Sequence, residues 1–325
     1  MLMNFRNFIT PALPAALMLF LLHPVRLRAQ TDEDAIMMIK NNFCVGGVYS
    51  HGSWKNYWEG TFKRNNQNIG TVSTQMFGLM GTYGVSDKLN ILVNAPYVTT
   101  HATAGTLHGM HGVQDLSLWV KWLALEKNIG KGTLSLYALG GGSLPLTNYI
   151  ADFLPLSIGL HSRTLSGRII ADYQQGNFFV TASATYTWRD NIKIDRTSYY
   201  TTEEHLTNEV EMPDMGALNF RAGYRGDRGI AELVFSKMKT LGGFDIRKND
   251  MPFPSNKMNA TMGGAHFKYN FKAVAGLSLI GGADYTLTGR NVGQSTMFDA
   301  GVFYILDFSH KAKKAKNSKQ SAKSN

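Results

Sequence analysis

Charged and titratable side chains recur at alternate positions in segments whose other residues are mostly apolar: Lys121, Arg168, Asp172, Arg189, Arg221, Arg225, Glu232, His266, Lys268, Asp284 and Asp299. On an extended chain, residues two apart share a face. Such a set therefore points to one side of a sheet, where cations and carboxylates pair or line a hydrated path. Arg168 with Asp172, and Arg221 and Arg225 with Glu232, are the expected partners. Two readings follow: a paired network that locks a narrow tube shut, or a selective wet path through it.

A second group, His101, His108, Met110 and His111, falls near or within one connection and could offer imidazole and thioether donors to copper or nickel. Its spacing fits no established metal-site pattern, so an exposed polar loop is the simpler expectation and no cofactor is predicted. The single Cys44 excludes an internal disulfide and a multi-cysteine zinc site. The longest connection, Asn191–Asp214, is rich in acids without calcium-loop spacing, and Met251-Pro252-Phe253-Pro254 reads as a stiff apolar cap.

The elements that must carry these residues are strands. No run of 18 or more apolar residues occurs past the leader, so no helical span is available there. Phe178, Val180, Ala182, Ala184, Tyr186 and Trp188 alternate with Phe179, Thr181, Ser183, Thr185, Thr187 and Arg189, a period of two that a helix would scatter. The same alternation predicts twelve strands, near 54–63, 69–83, 89–100, 115–126, 133–143, 157–174, 178–190, 215–226, 229–240, 258–270, 276–288 and 296–308. The first could begin as early as Phe43, and the sixth bends or begins late.

The connections alternate. Gly84–Lys88, Lys127–Gly132, Gln175–Asn177, Gly226–Arg228 and Phe271–Ala275 are short. Thr100–Gln114, Leu144–Leu156, Asn191–Asp214 and Leu241–Lys257 are long, whereas Arg64–Asn68 and Gly289–Ser295 are not. Short turns at one end and long loops at the other characterise an all-β, up-and-down antiparallel transmembrane β-barrel of about 12 strands. Closure removes the open edges that lipid cannot solvate. Tyr83, Tyr97, Tyr137, Tyr173, Trp188, Tyr224, Tyr269 and Tyr285 suit the interfacial girdles of such a barrel.

Residues 1–29 read as a signal peptide: Arg6, an apolar stretch from Ala12 to Leu22, and a small-residue site ending at Ala29. Residues 30–308 form the barrel, and 309–325 a Lys-rich disordered periplasmic tail. The formal net charge of +10 sits at these ends. Arg6, Arg26 and Arg28 precede the barrel, and Lys311, Lys313, Lys314, Lys316, Lys319 and Lys323 follow it with no acid among them. The body is nearly neutral, which excludes a nucleic-acid partner.

Tyr83-Gly84-Val85-Ser86-Asp87-Lys88-Leu89, Asn94-Ala95-Pro96-Tyr97 and Gly112-Val113-Gln114-Asp115-Leu116 carry a resemblance. The chain resembles the outer-membrane transporters named for the meta pathway of phenol degradation, which are distantly similar to FadL-type channels. The resemblance implies a bacterial outer-membrane location, a channel for small hydrophobic or aromatic solutes, and outer-membrane lipids and the insertion machinery as partners. The alternative is a closed structural or ligand-binding barrel. An outer-membrane lipid hydrolase is the remote one. His51-Gly52-Ser53 lacks the Asn-Gly of that pattern, having Trp54-Lys55 instead, and His161-Ser162 are strand neighbours that face apart, so no enzyme is expected. The final aromatic of the strand pattern, Phe308, is followed by the tail, which places the insertion signal at an internal position.

Overall fold

The computed structural model describes residues 31–248 and 250–309. The expected leader 1–29, and the tail from 310 onward, lie outside these residues. Twelve antiparallel strands close on themselves: β1 (Asn42–Trp54), β2 (Val72–Ser86), β3 (Leu89–Ala102), β4 (Asp115–Ile129), β5 (Gly132–Pro145), β6 (Thr164–Gln175), β7 (Phe178–Arg189), β8 (Met215–Gly226), β9 (Gly229–Thr240), β10 (Asn259–Asn270), β11 (Leu277–Arg290) and β12 (Thr296–Asp307). Each strand pairs with its sequence neighbours. β1 closes the cylinder on β12, from Asn42↔Asp307 to Ser53↔Thr296. Strands of 12 to 15 residues are about twice the usual soluble length and suffice to cross a bilayer when tilted.

The alternation decides the faces. Phe178, Val180, Trp188, Leu165, Ile169, Leu218, Phe220, Leu233 and Val302 are exposed on the outside, whereas Thr181, Ser183, Thr187, Asp172 and Lys121 are buried. A water-soluble globule would not expose so continuous an apolar surface; a lipid-facing wall must. Aromatics ring its two ends. Tyr83, Tyr224 and Tyr269 lie toward the short turns, and Tyr97, Tyr186, Trp188 and Tyr285 toward the long loops. Tyr137 is the exception: it is buried and points inward, so it leaves the predicted girdle.

The first strand differs from expectation. Residues 54–63 do not cross; Asn56–Glu59 and Phe62–Asn65 form a small hairpin above the barrel, turning at Gly60 with φ +56°. The first crossing is β1, whose apolar alternation is hidden by Gly46, Gly47 and Gly52. The structure requires the first of these. A Cβ on Gly46 would collide with the Phe303 ring that covers it. Consequently the first long-end connection runs from residue 55 to 71 and is not short. The sixth strand does begin late, at Thr164.

The long connections pack on one another. Ala151, Ile192, Ile194, Tyr199, Val210 and Met212 form a buried cluster, and Phe253 stacks on Tyr199 at 5.4 Å between ring centroids. Arg196 joins Asp152 at 2.8 Å across the same loops. The Met251–Pro254 segment thus serves as loop packing. Burial, then the hydrogen bond to Asp115, pushes the Tyr149 hydroxyl well above its usual range, so this loop anchor stays neutral.

Candidate lumen site

The chain preceding β1 lies inside the cylinder. Thr31 to Asn41 forms an irregular strap whose first residues make a compact turn: Thr31 N–H donates to Asp34 Oδ2 at 2.6 Å, and Asp34 N–H donates to Thr31 Oγ1 at 3.2 Å. Three consecutive acids on this turn, Asp32, Glu33 and Asp34, meet three cations from the wall. The fully buried Lys121 Nζ lies 2.9 Å from Asp34 Oδ1 and donates to Thr31 O at 3.1 Å. Arg168 lies 2.9 Å from Asp32 and 3.8 Å from Glu33, and its guanidinium stands 4.8 Å from the Trp119 ring. Arg221 bridges strap and wall, at 2.9 Å from Glu33 and 2.7 Å from Glu232.

Below the acids the strap is apolar. Ala35 and Met37 pack on Leu123, Leu139, Ile170 and Trp119, while Tyr137 donates its hydroxyl proton to Ala35 O at 3.0 Å. Met38 packs on Cys44, Phe303 and Ile305. The inner wall is therefore not uniformly polar: apolar residues face inward where the strap docks. Beside it a cavity of about 140 Å³ remains, lined among others by Asp32, Thr82, Asn94, Ser117 and Trp119.

The other charges predicted from sequence also sit within the cylinder, some with unexpected partners. Arg168 and Asp172 do not pair. Residues four apart on a strand are separated by about 13 Å, too far for contact. Asp172 instead receives Arg225 from two strands away at 3.0 Å and the Thr181 hydroxyl from the intervening strand. Arg225 also lies 4.0 Å from the Phe179 ring, and it does not reach Glu232 as expected. His266 is set between two carboxylates, 3.1 Å from Asp284 and 3.7 Å from Asp299. Its ring stands against Gly282, where a Cβ would collide with Nδ1. Lys268 is buried two residues farther along the same face. Arg189 is held at the rim: its side chain donates to Pro213 O at 3.4 Å and its main chain to Asp214.

The histidine loop is not brought together. His101, His108 and His111 are exposed, and Met110 packs against Val98, Tyr149 and Ile158. Among the described residues, one group of three has metal-ligand proximity, and it is His266, Asp284 and Asp299. Among the described residues, Ser162 and the His161 ring do not form a nucleophile–base pair. Ser162 Oγ donates to Asp190 O at 2.6 Å, and His161 lies edge-on to Tyr149.

A closed twelve-strand cylinder with an apolar exterior, aromatic rims and a polar, charged interior has the fold of outer-membrane β-barrels. The chain is similar to the COG4313 outer membrane channel from Pseudomonas putida F1, with a TM-score of 0.65 and 15% identity over 86% of this chain and 100% of that one. It is also similar to the translocator domain of the autotransporter NalP from Neisseria meningitidis (TM-score 0.43, 10% identity, 84% of this chain and 90% of that one). A third likeness is to a Pseudomonas aeruginosa FadL homologue (TM-score 0.36, 12% identity, 82% and 90%). No protein-family model and no curated protein matches the chain.

Proposed function

We propose that the protein is a channel of the bacterial outer membrane for small solutes, closed at rest by its own N-terminal strap. The observation that carries this reading is the way the bore is filled. The plug is the segment Thr31–Asn41 preceding β1, held to the wall by side-chain ion pairs, a few hydrogen bonds and the packing of Ala35, Met37 and Met38. A structural barrel without transport is more simply closed by its wall side chains. The similarity to a solved outer membrane channel supports the same reading. Export through the leader 1–29, contact with outer-membrane lipids and assembly by the insertion machinery belong to this proposal. The solutes implied by the resemblance are hydrophobic or aromatic. The charged wall favours those that also carry a polar group, with Trp119 and Tyr137 as the available aromatic faces.

Planar-bilayer recording tests the proposal. Deleting Thr31–Ile36 from the exported protein is expected to turn a quiet barrel into one with stepwise conductance. A deletion variant that shows the slower gel migration of a heat-unfolded barrel only after boiling, and so is folded, yet conducts no more than the parent, refutes the channel.

A further inference from the structure

Resting on the channel reading, we infer that the ring formed by Lys121, Arg168 and Arg221 is a binding site for small organic carboxylates, and that the strap's acids occupy it as an internal mimic of such a solute. The three cations are placed by three different strands, β4, β6 and β8, yet they converge on one short turn. What they hold is carboxylate in each case, and the contacts are close, at 2.9 Å from Lys121 to Asp34, from Arg168 to Asp32 and from Arg221 to Glu33.

Charge balance gives the argument its direction. Arg221 is shared between Glu33 and the wall residue Glu232. Among the described residues, the carboxylates paired with Lys121 and Arg168 all come from the strap. With the strap withdrawn, Arg221 alone of the three keeps a carboxylate at ion-pair distance, Glu232. Three cations converging within a narrow lumen focus positive potential there, so the open state recruits anions. Guanidinium is suited to planar carboxylates because it offers parallel N–H donors in a fixed fork. The surroundings select further. Trp119 lies under Arg168, Tyr137 lies 5.6 Å from Lys121 Nζ, and Leu139 and Ile170 are bared when Ala35 leaves. A carboxylate head on an apolar or aromatic body matches both the charge and the apolar ledge, as Asp34 followed by Ala35 now does.

The test uses the deletion variant lacking Thr31–Ile36, with benzoate, succinate and the neutral benzyl alcohol as probes. Three results are expected. The reversal potential in a KCl gradient shows chloride preferred over potassium. Millimolar benzoate or succinate reduces the chloride current at least several-fold more than benzyl alcohol. Either anion raises the temperature at which the folded gel band is lost, and this shift vanishes in the same variant carrying Lys121→Met and Arg168→Met. Conductance without anion preference, or equal effects of benzoate and benzyl alcohol, overturns the carboxylate site while leaving the channel intact. A folded variant that is silent under all conditions refutes the channel itself. The thermal shift reads the site without current, so anion binding by a silent barrel separates the two failures.

Discussion

Replacing Asp172 by Ala withdraws the counter-charge from Arg225 at the most shielded ion pair of the wall, whose side chains are 5% and 6% exposed. Arg225 loses two hydrogen bonds, at 3.0 and 3.3 Å, and the Thr181 hydroxyl loses its acceptor. Removing one partner of a buried pair costs about 3–5 kcal/mol, because an uncompensated charge stays behind. The lower end applies here, since Gln174 still accepts from Arg225 at 3.0 Å and the Phe179 face remains. A loss of about 3 kcal/mol corresponds to a more than about hundredfold fall in the folded-to-unfolded ratio. Urea unfolding of the barrel in vesicles at neutral pH, followed by tryptophan emission, measures it. Exchanging both partners, Asp172→Leu with Arg225→Met, removes the orphan charge and is expected to recover most of the loss. An Asp172→Ala variant within about 1 kcal/mol of the parent would mean that water reaches Arg225, and the inference that this end of the lumen is shielded would be wrong.

Two further outcomes check the face assignment and the loops. Phe220→Arg places a charge against lipid near mid-strand and is expected to cost about 2–4 kcal/mol in the same assay, whereas Leu206→Arg at a loop tip changes stability little. Leu206 is the more exposed of the two, 83% against 47%, so an equal or reversed effect would show that Phe220 does not face the bilayer. At the long-loop end, the Arg290 hydrogen bonds, opposed by partial burial and aided by Asn291, hold Asp245 at about 2, below the usual 3.8. A depressed carboxyl stabilises the fold fully above its unfolded value and loses that contribution as pH falls through the folded one. The 241–258 loop is therefore expected to resist pepsin at pH 4 and to become cleavable as pH drops toward 2. Asp245→Asn is expected to be cleaved already at pH 4. Identical pepsin profiles for the two proteins would rule out this clip.

Strand count, alternation and the two ends of the barrel were legible because lipid imposes one rule on every crossing, and Phe178–Arg189 states it without interruption. β1 was obscured where the rule yields to packing: Gly46 is glycine because Phe303 occupies the space above it. The charged inner set was readable as a face. Its pairing was not, because partners are fixed by register between strands, as when Asp172 reaches past β7 to Arg225. The strap is less legible still. Thr31-Asp32-Glu33-Asp34 looks like an ordinary polar stretch after a leader, and its partners lie 87 to 188 residues away. Three adjacent acids next to a wall rich in cations was the available signal.

The strap is joined to β1 through Asn41 and Asn42, whose main chains bond to Gly84 and Ile39 at the barrel floor. If released, its acids would remain tethered about ten residues or fewer from the start of β1. Short flexible tethers confine a ligand at effective concentrations of about millimolar. Re-entry is thus a unimolecular event, and a dilute solute cannot hold the ring against it. On the proposed reading, occupancy by outside molecules would depend on supply: the passage would close itself when the exterior is poor and stay engaged only while abundance exceeds the tethered rival.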